Sequence, residues 1–216
     1  MKTRIIGFLL IVACGMVIAY FMISDNEKLS VINPVKLDDA LVDPELRGKM
    51  SGHRISTFRL INQLGDTITE KDLEGKIYVA DFFFTTCPGI CKAMAAQKQR
   101  IQEANKGTSD FAILSHSVTP EMDSPEVLFE YGKKYGADPS IWQLTTGDRK
   151  EIYRLARKVY FAAKLEPGQS EDDMVHTENF VLVDKEKRIR GIYDGTSESS
   201  VDQLIEDIDL LRKSYE

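Results

Sequence analysis

The chain has 216 residues, which is room for one ordinary domain and an appendage. Its net charge of -6, without a basic stretch interleaved with aromatic residues, argues against a nucleic acid as a partner. Only three cysteines occur, too few for the framework of a small disulfide-rich protein. The composition indicates a globular domain in which cysteine serves chemistry rather than cross-linking.

The N-terminal stretch of residues 5–23 is almost continuously apolar. As a helix, its 19 residues would be roughly 28 Å long, close to the thickness of a bilayer core. Lys2 and Arg4 precede the stretch, and by the positive-inside rule they keep the N-terminus in the cytoplasm. We therefore expect a single-pass anchor in the bacterial cytoplasmic (inner) membrane, with the soluble part on the periplasmic side.

Cys14 leaves a second interpretation of this stretch open, because residues 11–14 resemble a bacterial lipobox. A lipidated cysteine is normally followed by polar residues, whereas residues 15–23 stay apolar. A cleaved signal peptide would need a shorter apolar core and a small-residue cleavage site, which is missing near residues 20–24. The length of the stretch matches a membrane span and favours an uncleaved anchor.

The sequence divides into an anchor at 1–24, a tether at 25–52 and a domain at 53–216. Hydrophobic periodicity and turn residues predict the elements of the domain. In chain order they are strands at 57–62 and 77–84, a helix at 90–104, a strand at 111–118, a helix at 124–135, a strand at 141–145, a helix at 148–163, strands at 179–184 and 189–193, and a helix at 199–211. With a cysteine pair at a strand-to-helix junction, this order predicts an α/β, thioredoxin-like fold: a mixed central sheet with helices on both faces.

Polar residues mark several helix ends in this prediction. Ser124 and Asp148 are suited to N-cap positions, and Pro125 fits the first helical position. Gly136 can end the helix that begins at Pro125, and Gly65 supplies a turn after the first strand.

Cys87 and Cys91 lie directly after a strand, at the start of a predicted helix. Thiolates are soft metal ligands and redox-active nucleophiles, and a helix N-terminus lowers the pKa of a thiol. The spacing allows a disulfide across the helix start, and it also lets both sulfurs converge on one ion. Two thiolates suit Cu(I), and an added imidazole accommodates Cu(II). These residues alone leave both electron exchange and metal binding open.

His176 stands immediately before the strand predicted at 179–184. In a thioredoxin-like fold, the loop before this strand passes beside the cysteine pair, and thioredoxins place a cis-proline there. The chain has no proline after Pro167 and has His176 at that place. A histidine in place of the cis-proline favours a metal site of two cysteines and one histidine over a plain disulfide reductase. A loop histidine with a local hydrogen bond is the alternative.

Asp81 lies inside an apolar strand, six residues before Cys87. Thioredoxins have an aspartate at the matching place, so Asp81 is a candidate proton shuttle to the thiols. A buried aspartate hydrogen-bonded to a neighbouring segment is the alternative. The other two histidines, His53 and His116, are expected to be structural, the latter half-buried in its strand.

Over about residues 51–213, the chain resembles the SCO/SenC family of membrane-anchored, thioredoxin-like copper proteins. The resemblance rests on FFFTTCPGIC at 82–91, SVTPEMDSPEVLFEYGKKYG at 117–136, WQLTTGD at 142–148 and VHTENFVLVD at 175–184. It implies copper, as Cu(I), Cu(II) or both, bound by Cys87, Cys91 and His176. It also implies a metallochaperone that assists assembly of the binuclear copper centre of cytochrome c oxidase.

The resemblance also implies partners and two modes of action. The expected partner is the copper-binding subunit of the oxidase, with other copper chaperones or thiol reductants as further partners and the membrane as the attachment site. Reduced cysteines would bind copper and pass it on by ligand exchange, which makes the protein a delivery protein rather than an enzyme. Alternatively, an envelope thiol–disulfide oxidoreductase would reduce the cysteines of a copper-accepting protein. A peroxiredoxin-type peroxidase is disfavoured because Phe84 stands where that class needs threonine.

The sequence departs from the usual SCO/SenC pattern at three positions. Lys92 replaces a proline, Gly89 an aspartate and Thr119 another aspartate. These exchanges make the surroundings of the cysteines less negative.

Overall fold

The computed structural model describes residues 14–16, 29–33, 52–163, 173 and 177–216. Its strands are β1 (Arg59–Asn62), β2 (Thr67–Thr69), β3 (Ile77–Phe83), β4 (Phe111–Ser117), β5 (Trp142–Thr146), β6 (Asn179–Val183) and β7 (Ile189–Asp194). They form a seven-stranded sheet in the order β2–β1–β5–β4–β3–β6–β7. Strands β3, β4 and β5 are parallel, and the other pairings are antiparallel. The predicted mixed α/β sheet is confirmed.

The helices are α1 (Ile90–Ala104), α2 (Pro125–Lys134), α3 (Arg149–Arg154) and α4 (Glu198–Lys213). Both faces of the sheet are covered, so all seven residues of β3 are buried. Alternate residues of a strand point to opposite faces. Tyr78, Ala80 and Phe82 accordingly join one hydrophobic cluster, whereas Ile77, Val79 and Phe83 join the other, which contains the buried faces of α1, α2 and α4.

The ends of α2 and the start of α3 agree with the sequence prediction. Ser124 caps α2, since its hydroxyl accepts a hydrogen bond from the amide of Val127 at 3.4 Å, and Pro125 follows at the first position. Gly136 comes just after the helix with φ of +65°, in the left-handed region that favours glycine. Asp148 caps α3 in the same way as Ser124 caps α2.

The helix predicted at 148–163 ends earlier than expected. The α-helical hydrogen bonds stop at Arg154, and residues 155–159 form a π-helix. Phe161 then takes a left-handed conformation with φ of 51°. Tyr160 and Phe161 are both fully buried as a result, so core packing overrides the helical tendency of this segment. Strand β2 is absent from the prediction because its three residues are too short for a periodic signal.

The N-terminal region is described only in part. The predicted anchor at 1–24 lies outside the described residues except for 14–16, and no described helix is long and apolar enough to cross a membrane. Residues 29–33, within the predicted tether, lie beside β7. The amide of Ile32 donates to the carbonyl of Ile189 at 2.9 Å, and Leu29 packs against the core.

His116 is fully buried on β4, deeper than the half-buried position that we expected. Its Nδ1 is 2.9 Å from the hydroxyl of Thr145, which donates its own proton to the carbonyl of Ser115. Nδ1 must therefore carry the proton, which leaves Nε2 as a bare acceptor without a partner among the described residues. Burial lowers the pKa of His116 to about 3, so the ring is neutral at pH 7.

This burial predicts a pH dependence of stability. Burial disfavours protonation of His116 in the folded state. The contribution of the neutral ring to the free energy of unfolding is therefore complete above pH 6.5 and is lost as the pH falls toward 3. Below the pKa of His116 in the unfolded chain, the free energy of unfolding should fall by about 1.4 kcal/mol per pH unit. His116→Phe should lack this slope, as measured by denaturant unfolding at pH 7, 6 and 5. His53, whose pKa burial also lowers, remains in both proteins, so equal slopes would contradict the prediction.

Candidate metal centre

The cysteine pair lies where β3 leaves the sheet and α1 begins. The amide of Val118 donates to the carbonyl of Phe83 at 2.8 Å, which closes the pairing of β3 with β4 at that end. Residues 84–88 then form a short loop, which we call the Cys87 loop, and α1 starts at Ile90. The site is therefore at the carboxyl ends of parallel strands, where open α/β sheets commonly place their binding sites.

The two thiols are free and in contact with each other. Cys87 is partly exposed, whereas Cys91 is buried on the inward face of α1. Burial and the hydrogen bond to Cys87 raise the pKa of Cys91 to about 12. Burial acts in the same direction on Cys87, but the hydrogen bonds from Cys91 and from the backbone of Gly89 and Cys91 outweigh it and lower the pKa of Cys87.

Cys87 also acts at the start of α1 as a cap would. Gly89 occupies the N-cap position, and no side chain there accepts a hydrogen bond from the helix. The first amides of a helix lack partners inside the helix and favour a negative charge. Hydrogen bonds to the Cys87 sulfur from this backbone meet that need and stabilise the thiolate. The pair thus consists of an accessible nucleophile and a buried, protonated thiol.

A cavity of about 230 Å³ adjoins both cysteines. Its wall is mostly apolar and includes the three consecutive phenylalanines at 82–84 and Val118. Thr177 lines the same cavity, which brings the segment before β6 beside the thiols. The hydroxyl of Thr177 donates to the carbonyl of Ala162 at 2.5 Å, and this bond fixes the backbone at that point.

His176, the third predicted ligand, lies outside the described residues. Within the described ranges, no three Cys, His, Asp or Glu side chains come together in a group that could hold a metal. The structure therefore brings together two of the three predicted ligands, and the residue that follows the third in sequence lies beside them.

Asp81 is fully buried but does not line the cavity. It forms an ion pair with Lys98 at 2.6 Å and accepts a hydrogen bond from Ser115. The Lys98 ammonium lies 5.0 Å from the ring centre of Phe83 and 4.9 Å from that of Trp142. The pair is close enough to the site for the Lys98 charge to act on the Cys91 thiol.

Lys98 is a residue that the sequence interpretation missed. It is 1% exposed, whereas lysine is almost never fully buried unless it is paired with an opposite charge. Its position gives the only signal in the sequence, because Cys91, Met94 and Lys98 share the buried face of α1 at helical spacing. A lysine on that face indicates a buried acidic partner.

Comparison with known proteins identifies the family. The profile described as SCO1/SenC matches residues 48–212, which is most of the chain. The chain belongs to the SCO1/SenC family. The resemblance inferred from the cysteine, histidine and loop motifs is therefore confirmed.

Solved SCO1/SenC structures share the fold. A SCO1/SenC family lipoprotein from Bacillus anthracis is 30% identical with a TM-score of 0.66, and the match covers 76% of this chain and 98% of that one. BsSco, described as a member of the Sco family of cytochrome c oxidase assembly proteins with a disulfide switch, is 29% identical with a TM-score of 0.62, over 74% and 93%. Bradyrhizobium japonicum ScoI, solved with copper bound, is 25% identical with a TM-score of 0.58, over 73% and 99%.

The difference between the two thiols predicts selective alkylation of Cys87. Because the thiolate is the nucleophile, iodoacetamide should modify Cys87 at least about tenfold faster than Cys91 at pH 7. The measurement is time-resolved mass spectrometry of peptides from the reduced, metal-free protein. In Cys91→Ala, the loss of the hydrogen-bond donor should move the rate profile of Cys87 to higher pH. An unchanged profile would mean that Cys91 does not stabilise the thiolate.

Proposed function

We propose that this SCO1/SenC protein is a copper metallochaperone. It holds copper on Cys87, Cys91 and His176 and delivers it during assembly of the binuclear copper centre of cytochrome c oxidase. The observation that carries the proposal is the contact between two free thiols, one of them with a lowered pKa, beside an apolar cavity. Adjacent thiolates at an accessible site are suitable ligands for Cu(I).

The third ligand is proposed from the chain path. Thr177 lines the cavity with both cysteines, and consecutive Cα atoms are about 3.8 Å apart. His176 precedes Thr177 in the chain, and this supports the proposal of its imidazole as the third ligand. One neutral imidazole and two thiolates form a donor set that accommodates both copper oxidation states, and the open side of Cys87 leaves room for an incoming ligand from the acceptor.

The relatives support the proposed partner and location. BsSco is described as a cytochrome c oxidase assembly protein, and the Bradyrhizobium relative was solved with copper bound. We propose the copper-binding subunit of the oxidase as the acceptor. The B. anthracis relative is described as a lipoprotein, which supports membrane attachment through the N-terminal segment. We place the domain on the periplasmic side of the inner membrane, anchored by residues 5–23 or by a lipid on Cys14.

Copper binding tests the ligand set. The purified, reduced protein should bind one copper ion under anaerobic conditions, with a sulfur-to-copper charge-transfer band for Cu(II). Cys87→Ser and His176→Ala should each lower the affinity by about 100-fold or more, since loss of an outer-shell partner alone costs 10–100-fold. The measurement is competition with a chelator of known affinity.

Met122 supplies the matched control. It is an exposed thioether in the loop before α2, and Met122→Leu should leave copper affinity unchanged. If His176→Ala binds both oxidation states as well as the wild type does, the assignment of His176 is wrong.

The asymmetry of the thiols favours a second function, reduction of a disulfide on the copper-accepting protein. The Cys87 thiolate would attack one sulfur of the target disulfide and release the other as a thiolate. Cys91 would then attack the mixed disulfide, which releases the second target thiol and leaves a Cys87–Cys91 disulfide. Because the pKa of Cys91 is raised, this second step requires a group that removes its proton.

We propose Asp81 as the group that receives this proton, with Lys98 as its counter-charge. Asp81→Asn should slow the reduction of an oxidised two-cysteine peptide, measured by stopped-flow fluorescence, whereas His176→Ala should have little effect on it. The variant also leaves the Lys98 ammonium unpaired, which should cost about 3–5 kcal/mol of stability.

The double variant Asp81→Leu with Lys98→Met separates these two effects. Replacing a buried ion pair by apolar side chains of similar volume is often close to neutral for stability. We expect the double variant to recover the stability and to remain slow. A double variant that recovers both stability and rate would show that the pair is only structural.

A further inference from the structure

We propose that Asp123 is a positioning residue that holds the Cys87 loop in the shape that brings the Cys87 thiol to Cys91. The inference deepens the proposed function and rests on it, since it concerns how the same two thiols are prepared for copper or for electron exchange. Asp123 lies in the loop before α2, far from the cysteines in sequence, within the motif at 117–136.

Both carboxylate oxygens of Asp123 bind the Cys87 loop. Oδ1 accepts a hydrogen bond from the hydroxyl of Thr85 at 2.5 Å, and Oδ2 accepts one from the Thr85 amide at 3.2 Å. Thr85 is two residues before Cys87. The side chain and the backbone of one loop residue are thus both held by a single carboxylate.

The same carboxylate is fixed to the sheet. Oδ2 also accepts hydrogen bonds from the hydroxyl of Ser117 at 2.5 Å and from that of Thr119 at 3.1 Å. Ser117 is the last residue of β4, next to the end of β3. Asp123 therefore connects the Cys87 loop to the rigid edge from which the loop departs.

The donors around Asp123 explain why an aspartate is buried there. Its side chain is fully buried, and no ion pair between described residues includes it. Burial of a carboxylate is costly unless it is hydrogen-bonded, and four hydrogen bonds from neutral groups meet this need. Few other side chains can accept four hydrogen bonds at once, so a carboxylate suits this position.

Because Asp123 holds Thr85 in place, the position of Cys87 in the loop is restricted. The Cys87 amide donates to the carbonyl of Phe84 at 3.3 Å, which makes a tight turn around the residue that Asp123 holds. The loop is thereby set at Thr85 by Asp123 and at its far end by the start of α1. A site that is ordered before its ligand arrives avoids the cost of ordering it on binding.

Two substitutions of Asp123 distinguish positioning from charge. Asp123→Ala removes every hydrogen bond from the loop to this residue. Asp123→Asn keeps an oxygen for the Thr85 amide, and its NH₂ group can donate to the Thr85 hydroxyl, so the contacts persist without the charge. Asp207→Ala is the matched control. Asp207 lies on α4 and is also buried, and among the described residues it accepts hydrogen bonds only from the neutral side chains of Tyr193 and Gln203.

The experiment uses the full-length protein and three measurements. Thermal unfolding reports global stability. Equilibration with oxidised glutathione measures how readily the two thiols form a disulfide, with two molecules of reduced glutathione as the other product. Competition with a chelator measures Cu(I) affinity. We expect Asp123→Ala to weaken both site equilibria by about tenfold relative to Asp207→Ala, and Asp123→Asn to stay within about twofold of the wild type.

Each result of these measurements supports or overturns the positioning role of Asp123. It is overturned if Asp123→Ala matches Asp207→Ala in both site equilibria, or if Asp123→Asn is as impaired as Asp123→Ala. If the wild type binds no Cu(I), the proposed function fails, while the glutathione equilibrium still tests positioning. Should Asp123→Ala not fold, Thr85→Val removes one of the two loop contacts and should weaken the same equilibrium by about threefold, and an unchanged value then overturns the inference.

Discussion

The ion pair between Asp81 and Lys98 is the constraint on which the geometry of the cysteine site depends. It joins β3 to α1 inside the core, where the side chains are 0% and 1% exposed. A buried charge that loses its partner is strongly destabilising, so α1 cannot slide or turn on the sheet without a large cost. Because Cys91 lies on the same face of α1, the pair fixes where the buried thiol sits below the Cys87 loop.

Much of the fold could be predicted because its signals are local. The apolar run of β3, the caps at Ser124 and Asp148 and the glycine at 136 act through neighbours in sequence. The π-helix at 155–159 could not be predicted in this way. It depends on the packing of Tyr160 against Tyr78, whose hydroxyls are 3.2 Å apart across 82 positions of sequence. A periodic pattern holds no information about a contact of that kind.

The residues of the cysteine site show the same contrast between local signals and long-range contacts. Cys87 and Cys91 could be recognised from spacing, since a helix start brings them together by itself. Lys98 and Asp123 act on this pair from other segments, and their partners Asp81 and Thr85 lie 17 and 38 positions away in sequence. What the sequence reveals is therefore the chemistry of the thiols, whereas the groups that hold them in place become visible only through the tertiary contacts.

The two proposed functions, copper delivery and thiol reduction, would be coupled because both use the sulfurs of Cys87 and Cys91. Copper would bind the reduced pair and not the disulfide, so binding would stabilise the dithiol by an amount that grows with the ratio of free copper to its dissociation constant. For a two-electron couple, a tenfold change in that ratio raises the reduction potential by about 30 mV. With copper bound, the protein would thus be a weaker reductant than without it. The contact between Cys87, whose pKa is lowered, and the protonated thiol of Cys91 suits both proposed reactions, and the local copper supply would then determine which of them the pair performs.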